Sequence, residues 1–149
     1  MKNIIELKVQ EFCREFNLYN YEKLLNILLI EIYKNGCRIT TGNYNREKNP
    51  WHMRNSSCQI IIPKPNNFVG LNLIWAIAHE LGHHFDPISY DDKSNEILKE
   101  KSEIRAWNKA NEIILGFSLS EEMYKNFLEL KNLYVKYSEE KLLRLEEYN

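Results

Sequence analysis

The feature that most constrains the fold is an apolar run in the middle of the chain. Between Gly70 and Phe85 the sequence reads GLNLIWAIAHELGHHF, with almost no polar side chain before His79. A helix with so few polar positions is buried on most of its sides, so other elements must surround it. The sequence therefore predicts a central buried helix whose last turns carry His79, Glu80 and His83.

Two helices and two strands are predicted before this run. Apolar residues at helical spacing over 5–16, and the run YEKLLNILLIEIY that ends at Asn35-Gly36, indicate two helices. β-Branched residues over 37–41 and 57–62 indicate two short strands joined by a polar loop.

Further helices are predicted after the run. Ser94 is the expected N-cap of a long helix through Leu115, and Gly116 lies just past its end. Ser120 is the expected N-cap of one or two amphipathic helices that take up the remainder of the sequence.

These elements predict one α+β domain over 1–149 that is mostly helical, with a small sheet packed beside the helix that carries His79 and His83. Within it we expect N-terminal helices, a central part with the sheet and the metal-site helices, and C-terminal helices, over 1–36, 37–115 and 116–149.

The charge balance excludes some classes of partner. The chain has 20 basic and 21 acidic side chains, for a formal net charge of −1, whereas a nucleic-acid or anionic-membrane binder carries a basic excess. No apolar run approaches the roughly 20 residues that span a bilayer. The first residues, MKNIIELKVQEF, do not form the apolar core of a signal peptide, so a cytoplasmic location is expected.

The cysteines do not suggest a disulfide framework. Cys13, Cys37 and Cys58 are odd in number, far apart in sequence and form no C-x-x-C pair. We therefore expect reduced, partly buried thiols. A link between Cys37 and Cys58, or a metal role, is the alternative.

The residues that carry chemistry are His79, Glu80 and His83. Helical positions i and i+4 project to nearly the same side, so the two histidines can offer nitrogens to one metal ion. Glu80 borders that site without ligating it and can accept the proton of a metal-bound water. This combination predicts a Zn²⁺ site suited to hydrolysis.

The alternative is an ordinary buried helix with two histidines in its core. Two histidines and a glutamate on a buried helix would then need other polar partners. Gly82 costs about 1 kcal/mol relative to alanine inside a helix, which is explained if another element packs closely there.

A catalytic zinc usually has a third protein ligand and one open position. We favour Glu103, which lies twenty residues past His83 on the predicted long helix. Asp86 and Glu100 are the main alternatives, and the remaining candidates are His84, Glu96 and Glu112.

The segment HELGHHF followed by EIRAWNKA resembles the ImmA/IrrE family of small gluzincin-type metallopeptidases, over roughly residues 55–112. The resemblance implies a minimal gluzincin-like fold in which His79, His83 and Glu103 bind zinc. It also implies that Glu80 is the general base.

The chain departs from that family at one position. Members often have Asp or Asn where this chain has Trp107, so the polar group that would orient a ligand histidine is replaced there. Asn108 and Asn111 are possible substitutes on the same helix. The helix-turn-helix module that many members carry is not found in this sequence.

The predicted function is that of a zinc endopeptidase acting on a specific cytoplasmic protein, such as a repressor or another regulator of a phage or mobile element. The alternatives are a catalytically silent metal-binding regulatory protein, and a phage toxin or host-takeover factor that uses the same site. Direct nucleic-acid binding and membrane binding are not expected, and the sequence leaves the oligomeric state open.

Two further expectations concern substrate binding. A peptide substrate could add to an open edge of the strand Cys58–Ile62. An oxyanion partner is also needed, and the candidates are His52, His84, Tyr90 and Arg105.

Overall fold

The computed structural model describes residues 2–43, 52–53, 58–86 and 95–147. The chain divides into two compact units, Met1–Ile77 and Ala78–Asn149, and the boundary falls inside a helix. The described part contains five α-helices and one small sheet, which confirms a mostly helical α+β fold. The single-domain organisation and the packing of the sheet beside the histidine-bearing turns stay predictions.

Two helices begin the first unit, as the periodicity predicts. Helix α1 spans Lys2–Phe16 and helix α2 spans Glu22–Lys34, with a short 3-10 turn between them. Their apolar faces are buried, and the buried side chains include Ile5, Val9, Phe12, Leu25, Leu28 and Ile32. The second helix ends at Asn35-Gly36, where Gly36 has a φ of +80° that an L side chain rarely adopts.

The sheet has three strands, β1 (Cys37–Asn43), β2 (His52–Met53) and β3 (Cys58–Lys64), in the order β1-β3-β2. Strand β3 pairs in parallel with β1 along its whole length and antiparallel with β2 at Gln59 and Ile60. The two longer strands were predicted, whereas β2 is too short to give a sequence signal. Because β3 is the central strand, one of its edges is covered by β1. On its other edge β2 covers only Gln59 and Ile60, so among the described residues an open edge for a peptide is left only beyond Ile60.

The prediction of reduced cysteines is wrong for two of the three. Cys37 and Cys58 form a disulfide, and Cys13 is free and buried. The two bonded residues are direct partners in the register of β1 and β3, with Cα atoms 4.5 Å apart. The link between Cys37 and Cys58 that was named as the alternative is therefore the one observed, and the parallel register explains why residues 21 positions apart lie side by side.

Helix α3 spans Leu71–His84 and contains the apolar run. All residues from Leu73 to His83 are buried, as expected for a helix without a polar face. The helix ends before Pro87, with turns in which the backbone N–H groups of Phe85 and Asp86 donate to carbonyls of the last helical turn.

Two long helices make up most of the second unit. Helix α4 spans Glu96–Leu115, and its N-cap is Asn95, whose side chain accepts hydrogen bonds from the backbone of Ile97 and Leu98. The prediction of Ser94 as the N-cap is therefore off by one residue. Helix α5 is a single helix, Glu121–Glu147, and the Ser120 hydroxyl caps it as expected. In the described part of the chain, no helix is both long enough and apolar enough to cross a membrane.

We predict that reduction of the Cys37–Cys58 disulfide lowers the free energy of unfolding by about 3 kcal/mol, because it releases a loop constraint on the unfolded chain. Chemical denaturation with and without reductant measures the change. Before reduction, the denatured protein should show one reactive thiol, from Cys13, and after reduction three.

The double variant Cys37→Ser/Cys58→Ser is the control, and its stability should not respond to reductant. Three reactive thiols in the untreated, air-oxidised protein would contradict the disulfide.

Candidate metal centre

The last turns of α3 bring the two histidines together. His79 and His83 are one helical turn apart, and their ring centroids lie 4.5 Å from each other with the planes at 71°. Both are buried, with exposed fractions of 8% and 2%. The helix therefore presents two imidazoles to one point inside the protein.

Helix α4 supplies a carboxylate to the same point. One oxygen of Glu103 lies 3.0 Å from Nε2 of His79, and the other lies 3.2 Å from Nε2 of His83. Two ligands of a tetrahedral zinc, each about 2.0–2.1 Å from the ion, are about 3.3 Å apart. The three side chains thus have the spacing of a ligand set, and they form a group that could hold a metal ion.

An unsatisfied nitrogen supports the fit to a metal. Nε2 of His79 is buried and has no hydrogen-bond partner among the described residues. It is near enough to Glu103 for a hydrogen bond but is not aligned for one. Buried polar atoms are rarely left in this state. Two atoms that bind the same metal ion lie close together without a hydrogen bond between them, as Nε2 of His79 and the oxygen of Glu103 do here.

The charges of the three side chains also call for a cation. Burial alone would lower the pKa of His79, but the carboxylates of Glu103 and Glu80 outweigh it and raise this pKa to about 9. Burial alone would raise the pKa of Glu103, but His79 and His83 hold it well below its usual range. Without a metal, a proton on His79 balances Glu103, and a metal ion must displace that proton to bind.

Gly82 explains why α4 comes so close to α3. A Cβ atom at this position would lie 2.2 Å from the backbone oxygen of Ala106, a distance that atoms do not reach without displacement. The glycine therefore lets the backbones of the two helices touch. Glu103 lies one turn before Ala106, so this contact also sets how near Glu103 comes to the histidines.

Glu80 lies beside the ligand set and not within it. It is buried, and its Oε1 lies 3.4 Å from Nδ1 of His79. This distance is longer than a normal N–H···O hydrogen bond. The position is that of a carboxylate next to the site, as the sequence predicts.

Asp86 and Glu100, the two main alternatives for the third ligand, bind other side chains. Asp86 is buried and accepts hydrogen bonds from the guanidinium of Arg105, at 2.9 and 3.3 Å, and from the hydroxyl of Ser102. Arg105, one of the four oxyanion candidates, is thereby tied to a carboxylate.

Glu100 is also buried, and it joins α4 to α5. Its carboxylate accepts a hydrogen bond from Ser138 at 2.9 Å and lies 3.3 Å from Nζ of Lys141. This ion pair raises the pKa of Lys141. The contacts give Glu100 a role in packing, one helical turn away from Glu103.

The remaining candidates do not join the histidine cluster either. Glu96 is exposed, Glu112 pairs with Lys109 at the surface, and the His84 ring packs edge-on against Phe85. Tyr90 and the side chain of His52 lie outside the described residues.

Sequence reasoning missed two neighbours of the histidines. The indole of Trp107 stacks on His79, with ring centroids 4.4 Å apart and planes at 20°. The hydroxyl of Ser102 lies 3.5 Å from Nδ1 of His83. For Trp107 the signal is helical spacing, because it lies four residues after Glu103 and near the same helix face. Ser102, one residue before Glu103, gives no such signal.

The two proposed substitutes for an orienting polar group lie elsewhere. Asn111 accepts a hydrogen bond from the hydroxyl of Tyr124 at 2.7 Å, and Asn108 is exposed. The expectation that either one orients a ligand histidine is therefore not met.

Comparison with models of known protein families, with curated proteins and with solved structures finds no match to this chain. The resemblance to the ImmA/IrrE family therefore stays a prediction from the sequence.

We predict that Gly82→Ala damages the metal centre from a distance, because the added Cβ forces α3 and α4 apart. The free energy of unfolding should fall by about 1–3 kcal/mol, as for other overpacked sites. Zinc affinity, measured by competition with a chromogenic chelator, should fall by at least about tenfold as Glu103 moves away.

Gly116→Ala is the matched control, because Gly116 has an ordinary φ of −77° and the nearest atom to its added Cβ is 3.3 Å away. It should change zinc affinity little. Unchanged zinc affinity in Gly82→Ala would show that the helix contact does not position Glu103.

We also predict opposite outcomes for two glutamates on α4. Glu103→Gln removes a charged ligand, so zinc affinity should fall by more than the roughly 10–100-fold that loss of an outer partner costs. Glu100→Gln should keep zinc affinity but lower the melting temperature, because Lys141 loses its ion partner. Chelator competition and circular dichroism distinguish the two effects. The reverse pattern would mean that Glu100 is the ligand.

Proposed function

We propose that the protein is a zinc-dependent endopeptidase that cleaves a specific protein substrate. The observation that supports this is the convergence of two buried imidazole nitrogens and one carboxylate, with a second buried carboxylate beside them. Two neutral ligands and one anionic ligand leave the ion a net positive charge and a free position. Zinc bound in this way would lower the pKa of a water and polarise a peptide carbonyl.

Glu80 is the residue proposed to move the proton. Its carboxylate can accept a proton from the attacking water and deliver it to the amine that leaves. Burial keeps other water away from it, which strengthens its electrostatic interactions. The side chain of Glu103 is 31% exposed, so substrate and water can approach from its side of the cluster.

We propose that the substrate is a single regulator, such as a repressor of a phage or mobile element, and that the reaction takes place in the cytoplasm. A reducing cytoplasm keeps most thiols free, so the Cys37–Cys58 disulfide counts against this location. The redox state of Cys37 and Cys58 in cells therefore bears directly on the compartment.

A catalytically silent metal-binding regulator is the second candidate, and the position of Glu80 supports it. With Oε1 at 3.4 Å from Nδ1 of His79, this carboxylate could serve to orient the ligand ring and not to move protons. A phage toxin or host-takeover factor would use the same chemistry on a different target.

The prediction that separates an enzyme from a binding protein concerns Glu80→Gln. This change keeps the shape of the side chain and removes the proton acceptor, so zinc content and fold should be retained. Cleavage should fall by two to four orders of magnitude, the usual cost of losing a general base. Wild type and Glu80→Gln are expressed in the native host or phage. The phenotype is recorded, and the cleavage of candidate regulator proteins is measured.

His79→Ala, which removes a ligand, and Glu112→Gln, which changes an exposed glutamate, are the two controls. The first should abolish the effect and the second should preserve it. If Glu80→Gln is folded, zinc-loaded and fully active, the protein is not a peptidase of this type.

A further inference from the structure

We propose that Trp107 is a positioning residue of the metal centre, and that its indole fixes the plane of the His79 imidazole by stacking. The inference rests on the metal site of the proposed function and does not require peptidase activity. It assigns a role to the residue at which the chain departs from the family it resembles.

The contact between the two rings is close and dry. Their centroids are 4.4 Å apart and their planes differ by 20°, which is a face-to-face arrangement. Trp107 is 3% exposed and His79 is 8% exposed, so water does not separate them. Aromatic pairs at such distances are favourable beyond the area they bury.

The polar neighbours of His79 lie at its nitrogen-bearing edges and do not contact its ring face. Its Nε2 has no hydrogen-bond partner among the described residues, and Oε1 of Glu80 lies 3.4 Å from its Nδ1. A ligand histidine is usually oriented by a hydrogen bond to the nitrogen that does not bind metal. Here the stacked indole restricts rotation of the ring, while Glu80 and Glu103 lie at its two nitrogen-bearing edges.

Trp107 also contacts two aromatic rings of α5. Its ring stacks on Tyr134, with centroids 5.8 Å apart and planes at 19°, and it packs against Phe127 at 6.2 Å. The rings of His79 and Tyr134 both stack on Trp107, so aromatic contacts connect α3, α4 and α5. These contacts restrict rotation of the indole.

The stack also suits the positive charge that the His79 ring would gain on binding a metal ion. The face of an indole is negative, and a cation over it is attracted. An imidazole that has bound a metal or a proton is more positive than a neutral one. Trp107 therefore favours the ligated state of His79, as well as its orientation.

Titrations of Zn²⁺ and Co²⁺ into wild type, Trp107→Phe and Trp107→Leu test the proposal. Leucine fills space without a ring face, so Trp107→Leu should lose roughly 10–100-fold in zinc affinity, as for other lost outer partners. Its Co²⁺ complex should show altered visible absorption, which reports ligand geometry. Phenylalanine keeps a ring, so Trp107→Phe should remain within about threefold of wild type.

Phe12→Leu is the control for stability, because it removes a fully buried ring from the first unit. It should destabilise the protein and leave zinc affinity and the Co²⁺ spectrum unchanged. Equal affinity and an identical spectrum in Trp107→Leu and wild type would overturn the proposal, and would leave the metal site intact.

A second measurement does not depend on the leucine variant folding. Co²⁺ held by a ring 4.4 Å from the indole should quench Trp107, one of three tryptophans in the chain. The metal-dependent quenching should therefore be smaller in Trp107→Phe than in wild type, and Trp75, one helical turn before His79, accounts for part of what remains. Equal quenching in both proteins would overturn the stack. A wild type that binds neither metal would overturn the proposed function and this inference together.

Discussion

Direct backbone contact between Gly82 of α3 and Ala106 of α4 is the constraint on which the candidate metal centre depends. At residue 82 even a methyl group would meet the backbone oxygen of Ala106 at 2.2 Å, so this contact requires glycine. With the helices this close, Glu103 on one helix reaches two histidines on the other. Side chains of α3 and α4 then contact each other directly in one cluster.

The same contact creates an electrostatic demand. A carboxylate between two buried imidazoles favours a positive charge nearby. In the metal-free protein burial alone would lower the pKa of His79, but Glu103 and Glu80 outweigh it and raise this pKa to about 9. A divalent cation would supply more positive charge than a proton, and it could bind His79, His83 and Glu103 at the same time. The cluster is therefore a group of side chains that could hold a metal ion and that a bound cation would stabilise.

The other carboxylates of this unit show why residue type alone does not identify a ligand. Asp86 neutralises Arg105 and accepts from Ser102, and Glu100 neutralises Lys141 and accepts from Ser138. Each is more deeply buried than Glu103, and each has a cationic partner. Glu103 has the two histidines and partial exposure, as an open metal site requires.

The sequence by itself determined what depends on local spacing. A helical period of 3.6 residues can be recognised in the sequence alone. It predicts the i, i+4 pair of His79 and His83, the buried helix that carries this pair and the amphipathic helices. Tertiary structure decided what depends on register between distant segments. It selected Glu103 over its neighbour Glu100 one turn away, paired Cys37 with Cys58 and laid an indole on His79, because each of these contacts is fixed by how two separate elements pack.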